Sequence, residues 1–130
     1  MVTDTSALIA ILEGEATASR LISALDAADD LRLSAVTVVE AGIAVESRRG
    51  DAGGRELDLL LHRLQFNIVP VTAEHADIAR YAYRHYGRSR HAAGLNFGDC
   101  FAYALATAID EPLLFVDDDF SRTDVRVAVY

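Results

Sequence analysis

The sequence predicts an α/β fold in which a central parallel sheet of about five strands lies between helical layers, a three-layer α/β/α arrangement. Short β-rich apolar runs alternate with longer segments of helical periodicity. This alternation implies right-handed crossovers, which produce parallel strands covered on both faces. The 130 residues are 52% hydrophobic and contain no linker, repeat or low-complexity segment, so we expect a single domain over residues 1–130.

The predicted strands are the short apolar runs at about 1–4, 31–36, 67–71, 113–116 and 125–129. The first run ends at Asp4, which precedes Thr5, Ser6 and an apolar stretch and is a candidate N-cap of the first helix. After the second run, the segment Thr37–Glu40 matches a capping box, so a helix is expected to begin near Thr37.

Two stripes of apolar residues predict the buried faces of later helices, because their members recur at helical spacing. The stripes are Leu57, Leu60, Leu61 and Leu64, and Ala76, Ala79, Tyr83 and Tyr86. The glycine-rich segment 50–54 is typical of a turn between two helices, and residues 87–94 are typical of a polar loop. A further helix is expected to begin near Asn96, with Asp99 in its first turn.

Composition limits the function classes. The formal net charge is −8, and all 12 basic residues are arginine. Non-specific nucleic-acid binding depends on neutralising phosphates, so this balance argues against a nucleic-acid coat but allows a local basic patch. No apolar run approaches the roughly 20 residues needed to cross a bilayer, and no basic leader precedes a signal-like segment, so we expect a soluble, cytoplasmic protein. The single cysteine, Cys100, cannot form an internal disulfide.

Six acidic residues are expected near one edge of the sheet, because parallel strands present their carboxyl ends at a common edge, where ligands bind. The residues are Asp4, Glu40, Asp99, Asp117, Asp118 and Asp119, of which Asp118 alternates away from its two neighbours and is the least favoured ligand. Each acid alone has an equally good interpretation as a helix cap or as a favourable charge at a helix N-terminus. Together, in partly buried apolar surroundings, they would repel one another and raise their own pKa values. A bound divalent cation relieves that conflict.

The donor atoms indicate which ion this would be. Carboxylate oxygens suit Mg²⁺, with Mn²⁺ as an alternative, and the sequence contains no set of Cys and His with zinc spacing. An ion held in this way is suited to phosphoryl chemistry, because it polarises a phosphate oxygen and lowers the pKa of bound water. A phosphotransfer or receiver domain also places acids after its first strand. This chain, however, has no lysine, and Ser6 stands where the haloacid-dehalogenase pattern needs a second aspartate.

Four motifs, in this order and spacing, resemble the PIN domain and, within it, the VapC toxins of bacterial toxin–antitoxin pairs. The motifs are VTDTSALIAIL, TVVEAGIAV, LNFGDCFAYALA and LLFVDDDF, and together they span nearly the whole chain. The resemblance implies a Mg²⁺-dependent endoribonuclease in which Asp4, Glu40 and Asp99 match the three invariant acids. It also implies that Asp4 and Asp99 bind the metal directly, while Glu40 acts through water.

The resemblance extends to three further positions. The fourth acid is Asp117 by register from the strand, or Asp119 by its match to relatives that carry a small residue at the earlier position. Ser6 matches a small hydroxyl residue that orients a ligand or a bound water. Asn96 matches the polar residue found just before the third acid.

Substrate and partners are implied by the same resemblance. The substrate would be RNA, most often a tRNA or rRNA loop, and the partner a VapB-like antitoxin that presses an arginine or lysine into the acidic site. A homodimer or a larger toxin–antitoxin assembly is also implied. The alternative is a catalytically weak PIN-like module that acts mainly through antitoxin binding and transcriptional regulation.

An arginine-bearing segment offers contacts for RNA. It contains Arg80, Arg84, Arg88, Arg90 and His91 and leads into the helix of the third acid. Arg88 and Arg90, with Asn96, are the predicted substrate-binding residues, because a guanidinium binds phosphate well. Phe97 or Tyr86 could stack on an unpaired base. A solvated helix end explains the same charges equally well.

Overall fold

The computed structural model describes residues 1–130 and contains a four-stranded parallel sheet in the order β3-β2-β1-β4, flanked by helices. The strands are β1 Val2–Thr3, β2 Arg32–Ser34, β3 Asn67–Val69 and β4 Leu113–Leu114. The helices are α1 Thr5–Leu12, α2 Ala18–Asp26, α3 Ala35–Arg63, α4 Ala73–Tyr86 and α5 Phe97–Ala108, and a 3₁₀ turn covers Phe120–Arg122. The predicted α/β class and parallel sheet are confirmed.

The sheet has four strands, where the sequence predicted about five. The run at 125–129 makes a single parallel bridge, between Leu113 and Val127, and does not extend it into a strand. Its two ladder bonds are the Leu113 N–H to the Arg126 carbonyl and the Ala128 N–H to the Leu113 carbonyl. Val129, which follows the bridge, is 93% exposed, so further strand pairing there would gain no stabilisation from buried side chains.

The predicted turn between two helices falls at Gly50, the first residue of the 50–54 segment. Gly50 has φ of +60° and ψ of −154°, so the span α3 Ala35–Arg63 consists of two helical segments joined across a sharp kink. Close packing across the kink requires Gly53, where an added Cβ would lie 2.7 Å from the carbonyl oxygen of Val45. The start of α3 differs from the prediction. Ser34 is the N-cap and accepts from the backbone N–H of Val36, so Thr37–Glu40 is not a capping box.

The buried face of α4 is shifted from the predicted stripe. Its buried residues are His75, Ala79 and Ala82, while Tyr83 is 42% exposed. This face packs on α5, the most buried helix of the chain. The sequence stripe was wrong at Tyr83 because small alanines let α4 approach α5 closely, which turns the bulky ring outward. The stripe in α3 is better placed, since Leu57 and Leu61 are buried.

Three sheet strands and two helices converge on one edge of the molecule. The carboxyl ends of β1 and β2 lead directly into α1 and α3, with one residue or none between them. β4 lies beside β1, so the chain leaving β4 reaches the same edge. None of the helices is both long enough and apolar enough to serve as a membrane span.

Candidate active site

Asp4 is held at the end of β1 by its own helix. It is the N-cap of α1, and its Oδ2 accepts from the backbone N–H of Ser6 at 2.8 Å and from the Ser6 hydroxyl at 2.7 Å. The residue is only 2% exposed, and its other oxygen, Oδ1, is buried without a hydrogen-bond partner. Unsatisfied buried acceptors are rare in proteins, so Oδ1 is an available ligand atom.

Ser6 joins two strand ends. Its hydroxyl donates to Asp4 and accepts from the backbone N–H of Val116 at 3.2 Å. Val116 follows β4 and immediately precedes Asp117. The predicted role of Ser6 as an orienting hydroxyl thus has a structural counterpart, because it fixes both Asp4 and the chain that carries the candidate fourth acid.

Asp99 is fixed by a capping box at the start of α5, the helix predicted to begin near Asn96. Its Oδ2 accepts from the backbone N–H of Asn96 at 2.7 Å, and its own N–H donates to the Asn96 side-chain oxygen at 2.9 Å. The residue is 6% exposed. Asp99 can therefore act both as part of the helix cap and as a site residue, because the cap uses one carboxylate oxygen and positions the other.

Glu40 lies directly against Gly98, the residue before Asp99. A Cβ added at Gly98 would lie 1.5 Å from Oε2 of Glu40 and 2.7 Å from its Oε1. Any side chain at this position would displace the carboxylate. Sequence reasoning did not identify Gly98 as part of the site, although the glycine beside an acid in the LNFGDC motif was an available signal.

The two candidates for the fourth acid lie in different places. Asp117 lines the same cleft as Asp4, Glu40 and Asp99, whereas Asp119 precedes the 3₁₀ turn outside that lining. The charge of Asp117 also contributes to the raised pKa of both Asp4 and Asp99. The geometry therefore favours Asp117.

Burial and mutual repulsion shift the ionisation of these acids. Burial raises the pKa of Asp4 to about 6, although the hydrogen bonds from Ser6 oppose the shift. Burial likewise raises the pKa of Asp99 to about 7 against the hydrogen bond from Asn96. Neighbouring carboxylates, including Glu40, add to both shifts. The pKa of Asp117 is also raised, first by burial and then by Asp119. Such perturbed carboxyls in a cleft are typical of functional sites.

The acids share a cleft of about 400 Å³. Its lining comprises Asp4, Thr5, Ser6, Ile9, Glu15, Glu40, Ala44, Arg48, Asn96, Asp99, Val116 and Asp117. Glu15 and Arg48 were not predicted from the sequence. No three His, Cys, Asp or Glu side chains lie close enough to hold a metal ion by themselves. The cleft is thus an open set of oxygen donors, which suits an ion that retains several waters.

The predicted arginine contacts lie apart from this cleft. The Arg90 guanidinium lies 5.6 Å from the centre of the Tyr83 ring, and the backbone of Arg88 pairs with Leu95. Neither side chain lines the acidic cleft, and neither is ion-paired. Asn96 does line it, with its side-chain oxygen engaged in the cap.

A second, apolar groove lies between α4 and α5. Arg80 and Arg84 lie at this groove, together with Phe97, which is 73% exposed. Because Phe97 opens α5 two residues before Asp99, the groove is adjacent to the acidic cleft in the chain.

Comparison with known proteins places this architecture in a family. The family model described as "PIN domain" matches residues 1–126. Ribonuclease VapC30 of Mycobacterium tuberculosis is 52% identical over 126 residues, which cover 96% of this chain and 95% of the relative. Ribonuclease VapC of Mycolicibacterium smegmatis is 54% identical over 126 residues, which cover 96% of this chain and 97% of the relative.

Solved structures give the same fold. VapC20 of Mycobacterium tuberculosis, described as a sarcin-ricin loop cleaving toxin, superposes with a TM-score of 0.79 at 21% identity, covering 98% of this chain and 97% of that one. A toxin–antitoxin complex from Klebsiella pneumoniae gives a TM-score of 0.75 at 18% identity, with 99% and 97% covered. Ribonucleases of this type generally depend on a divalent metal ion. The chain belongs to the PIN-domain family and, within it, to the VapC ribonucleases.

Proposed function

We propose that this chain is a Mg²⁺-dependent endoribonuclease toxin, also active with Mn²⁺, that cleaves RNA phosphodiesters in the cytoplasm and is neutralised by a VapB-like antitoxin. One observation carries the proposal. Asp4 and Asp99, two buried carboxylates with raised pKa values, face one cleft together with Glu40 and Asp117. A protein keeps such a repelling cluster where a cation or a reaction requires it.

The donors fit a hard divalent ion. The unpartnered Oδ1 of Asp4 and the second oxygen of Asp99 would hold it directly, with Glu40 and Asp117 reaching it through water. All of these donors are oxygens, which favours Mg²⁺ and Mn²⁺ over zinc. When bound, the ion supplies two effects: it lowers the pKa of a coordinated water and neutralises charge on a phosphate oxygen.

The side chains around the donors supply position and proton transfer. Ser6 and Asn96 hold one oxygen each of Asp4 and Asp99, which fixes the orientation of both carboxylates. Glu40 makes no hydrogen bond to protein groups, so its carboxylate can accept the proton of the attacking water. Gly98 leaves room for Glu40 to lie beside Asp99.

RNA is the substrate that the comparisons support. Relatives that share about half of their residues with this chain are named ribonucleases, and VapC20 is described as cleaving the sarcin-ricin loop. We propose a structured RNA such as a tRNA or rRNA loop, contacted by Arg88, Arg90 and Asn96. Phe97 is available to stack on an unpaired base, since it is exposed next to the cleft.

An antitoxin is the proposed protein partner. Solved structures of this fold include a toxin–antitoxin complex from Klebsiella pneumoniae and VapBC2 from Rickettsia felis bound to promoter DNA. A cleft lined by five carboxylates is a favourable receptor for a guanidinium or ammonium group of such a partner. A homodimer, or a larger assembly with the antitoxin, is part of the same proposal.

Cleavage of total cellular RNA by the purified, antitoxin-free protein tests this function. We expect discrete fragments with Mg²⁺ or Mn²⁺ and none with EDTA, Asp4→Asn or Asp99→Asn. Asp118→Asn is the matched control, because Asp118 is an exposed neighbour of Asp117 outside the cleft lining. Cutting that survives EDTA or the first two substitutions would contradict the mechanism. A folded, metal-loaded protein that cuts nothing but binds its antitoxin would support the binding-module alternative.

A further inference from the structure

Arg48 is the only basic residue that lines the acidic cleft. It lies on α3 four residues after Ala44 and eight after Glu40, and all three residues line the cleft. Positions spaced by four lie on one face of a helix, one turn apart. The same helical face therefore carries a candidate proton acceptor and, two turns further on, a cation.

The Arg48 side chain has no partner within the protein. It forms no salt bridge within 4.0 Å and no side-chain hydrogen bond, although Glu15 and Glu40 line the same cleft. Its neighbour Arg49 is different, since it pairs with Glu56 and donates to the carbonyl of Leu12. Arg49 thus connects the middle of α3 to α1 and to the segment beyond the Gly50 kink, whereas Arg48 makes no such contact.

Nor does Arg48 neutralise the metal-binding candidates. The largest influences on the pKa of Asp4 and of Asp99 are burial, local hydrogen bonds and neighbouring carboxylates. A cation that stays unpaired at the mouth of a strongly acidic cleft is available for an anion brought in by a ligand. The phosphodiester backbone is the anionic part of an RNA strand, and guanidinium binds it in a forked geometry.

We propose that Arg48 is a substrate-binding residue that holds a phosphodiester of the RNA strand next to the scissile bond. This assignment rests on the proposed ribonuclease function. A phosphate that enters the cleft is repelled by five carboxylates, and a bound metal ion would cancel only part of that negative charge. The guanidinium of Arg48 would offset part of the remaining repulsion. Because the contacted phosphate does not react, its binding is the same in the ground and transition states. Loss of Arg48 should therefore raise KM and leave kcat unchanged.

The test compares Arg48→Gln and Arg48→Lys with the control Arg55→Gln. Arg55 is an exposed arginine of the same helix that makes no salt bridge and lies outside the cleft lining. Steady-state cleavage uses a synthetic RNA that spans a site mapped with the wild-type protein. We expect Arg48→Gln to raise KM about tenfold with kcat within about twofold, and Arg48→Lys to recover part of the loss. Arg55→Gln should match the wild type.

A binding measurement separates this assignment from the ribonuclease function itself. A fluorescent random-sequence RNA of about 20 nucleotides is titrated against Asp99→Asn and against Asp99→Asn with Arg48→Gln. We expect about tenfold weaker binding for the double variant and a salt dependence shallower by about 0.7 in log–log slope, the value for one lost phosphate contact on a single strand. Equal affinities, or an unchanged KM in cleavage, would overturn the assignment. Weaker antitoxin binding without weaker RNA binding would also overturn it, because Arg48 would then serve a protein interface. If the wild type does not cut RNA, the proposed function fails, and the titration still decides whether Arg48 binds phosphate.

Discussion

Gly98→Ala should inactivate the protein without unfolding it. The added methyl would lie 1.5 Å from Oε2 and 2.3 Å from Cδ of Glu40, so the two groups cannot occupy their present positions together. All three of the nearest atoms belong to the end of the Glu40 side chain, which can rotate away. The carboxylate must therefore leave its position beside Asp99, while the backbone of α5 stays in place.

The expected change in stability is small. Alanine is favoured over glycine in helices by up to about 1 kcal/mol, and a displaced rotamer costs about the same. We expect the free energy of unfolding in urea to change by less than about 1 kcal/mol. Activity should respond strongly, because loss of a positioned general base typically lowers the rate by about 10² or more. The assay pairs urea unfolding with kcat for cleavage of a mapped RNA site.

A double-mutant cycle checks the physical cause. In a Glu40→Ala background the clash is absent, so adding Gly98→Ala should lower kcat no further. Gly42→Ala is the matched control: it places alanine in α3, where no atom lies within 4 Å of the new methyl, and should retain full activity. Wild-type kcat in Gly98→Ala, or additive losses in the cycle, would refute the reasoning.

Three further predictions concern Asp4, Ser6 and Tyr103. The pKa of Asp4 is raised from 3.8 to about 6, so the folded state binds its proton more tightly than the unfolded chain does. In EDTA, the contribution of Asp4 to stability should therefore be fully present below about pH 4 and be lost as the pH rises through about 6. The loss is roughly 3 kcal/mol at about 1.36 kcal/mol per unit. In urea unfolding, the difference between the wild type and Asp4→Asn should follow this profile, and a difference that does not change with pH would count against it. Ser6→Ala removes the hydroxyl that lies between Asp4 and Val116 and should destabilise the protein by about 1–2 kcal/mol. The same substitution should weaken Mn²⁺ binding by roughly 10–100-fold in calorimetric titration. A Mn²⁺ affinity equal to that of the wild type would exclude an orienting role for Ser6. Tyr103→Phe removes the 2.6 Å hydrogen bond from the Tyr103 hydroxyl to Asp124, which lies outside the cleft. The free energy of unfolding in urea should fall by about 1–3 kcal/mol while kcat is retained. A large loss of kcat would link this pair to the site.

The fold class was predictable because the alternation of strand and helix patterns is a local property of the sequence. Details that depend on tertiary packing were not. The two helical segments of α3 meet across the Gly50 kink through the close approach of Gly53 to Val45, and sequence periodicity contains no information on that contact. Tyr83 fits a helical stripe by spacing, but the alanines of α4 determine which face meets α5. The last predicted strand has β propensity without a buried face.

The candidate site was predictable where a residue follows a strand or begins a helix. Asp4 and Asp99 occupy N-cap and capping-box positions, which sequence motifs identify, and topology brings those positions together. The choice between Asp117 and Asp119 required coordinates, since it depends on how the chain leaves β4. Arg48 was not predicted to line the cleft, because its spacing from Glu40 has meaning only once the face of α3 toward the cleft is known.

Mn²⁺ binding tests the central claim, that the carboxylates at this sheet edge hold a divalent ion. Electron paramagnetic resonance would follow titration of Mn²⁺ into the metal-free wild type, Asp4→Asn, and the control Asp118→Asn. We expect the wild type and the control to bind equally and Asp4→Asn to bind at least about tenfold more weakly, because it loses the buried oxygen that has no other partner. Equal affinity in all three proteins would contradict the claim and would place any metal ion outside the acidic cleft.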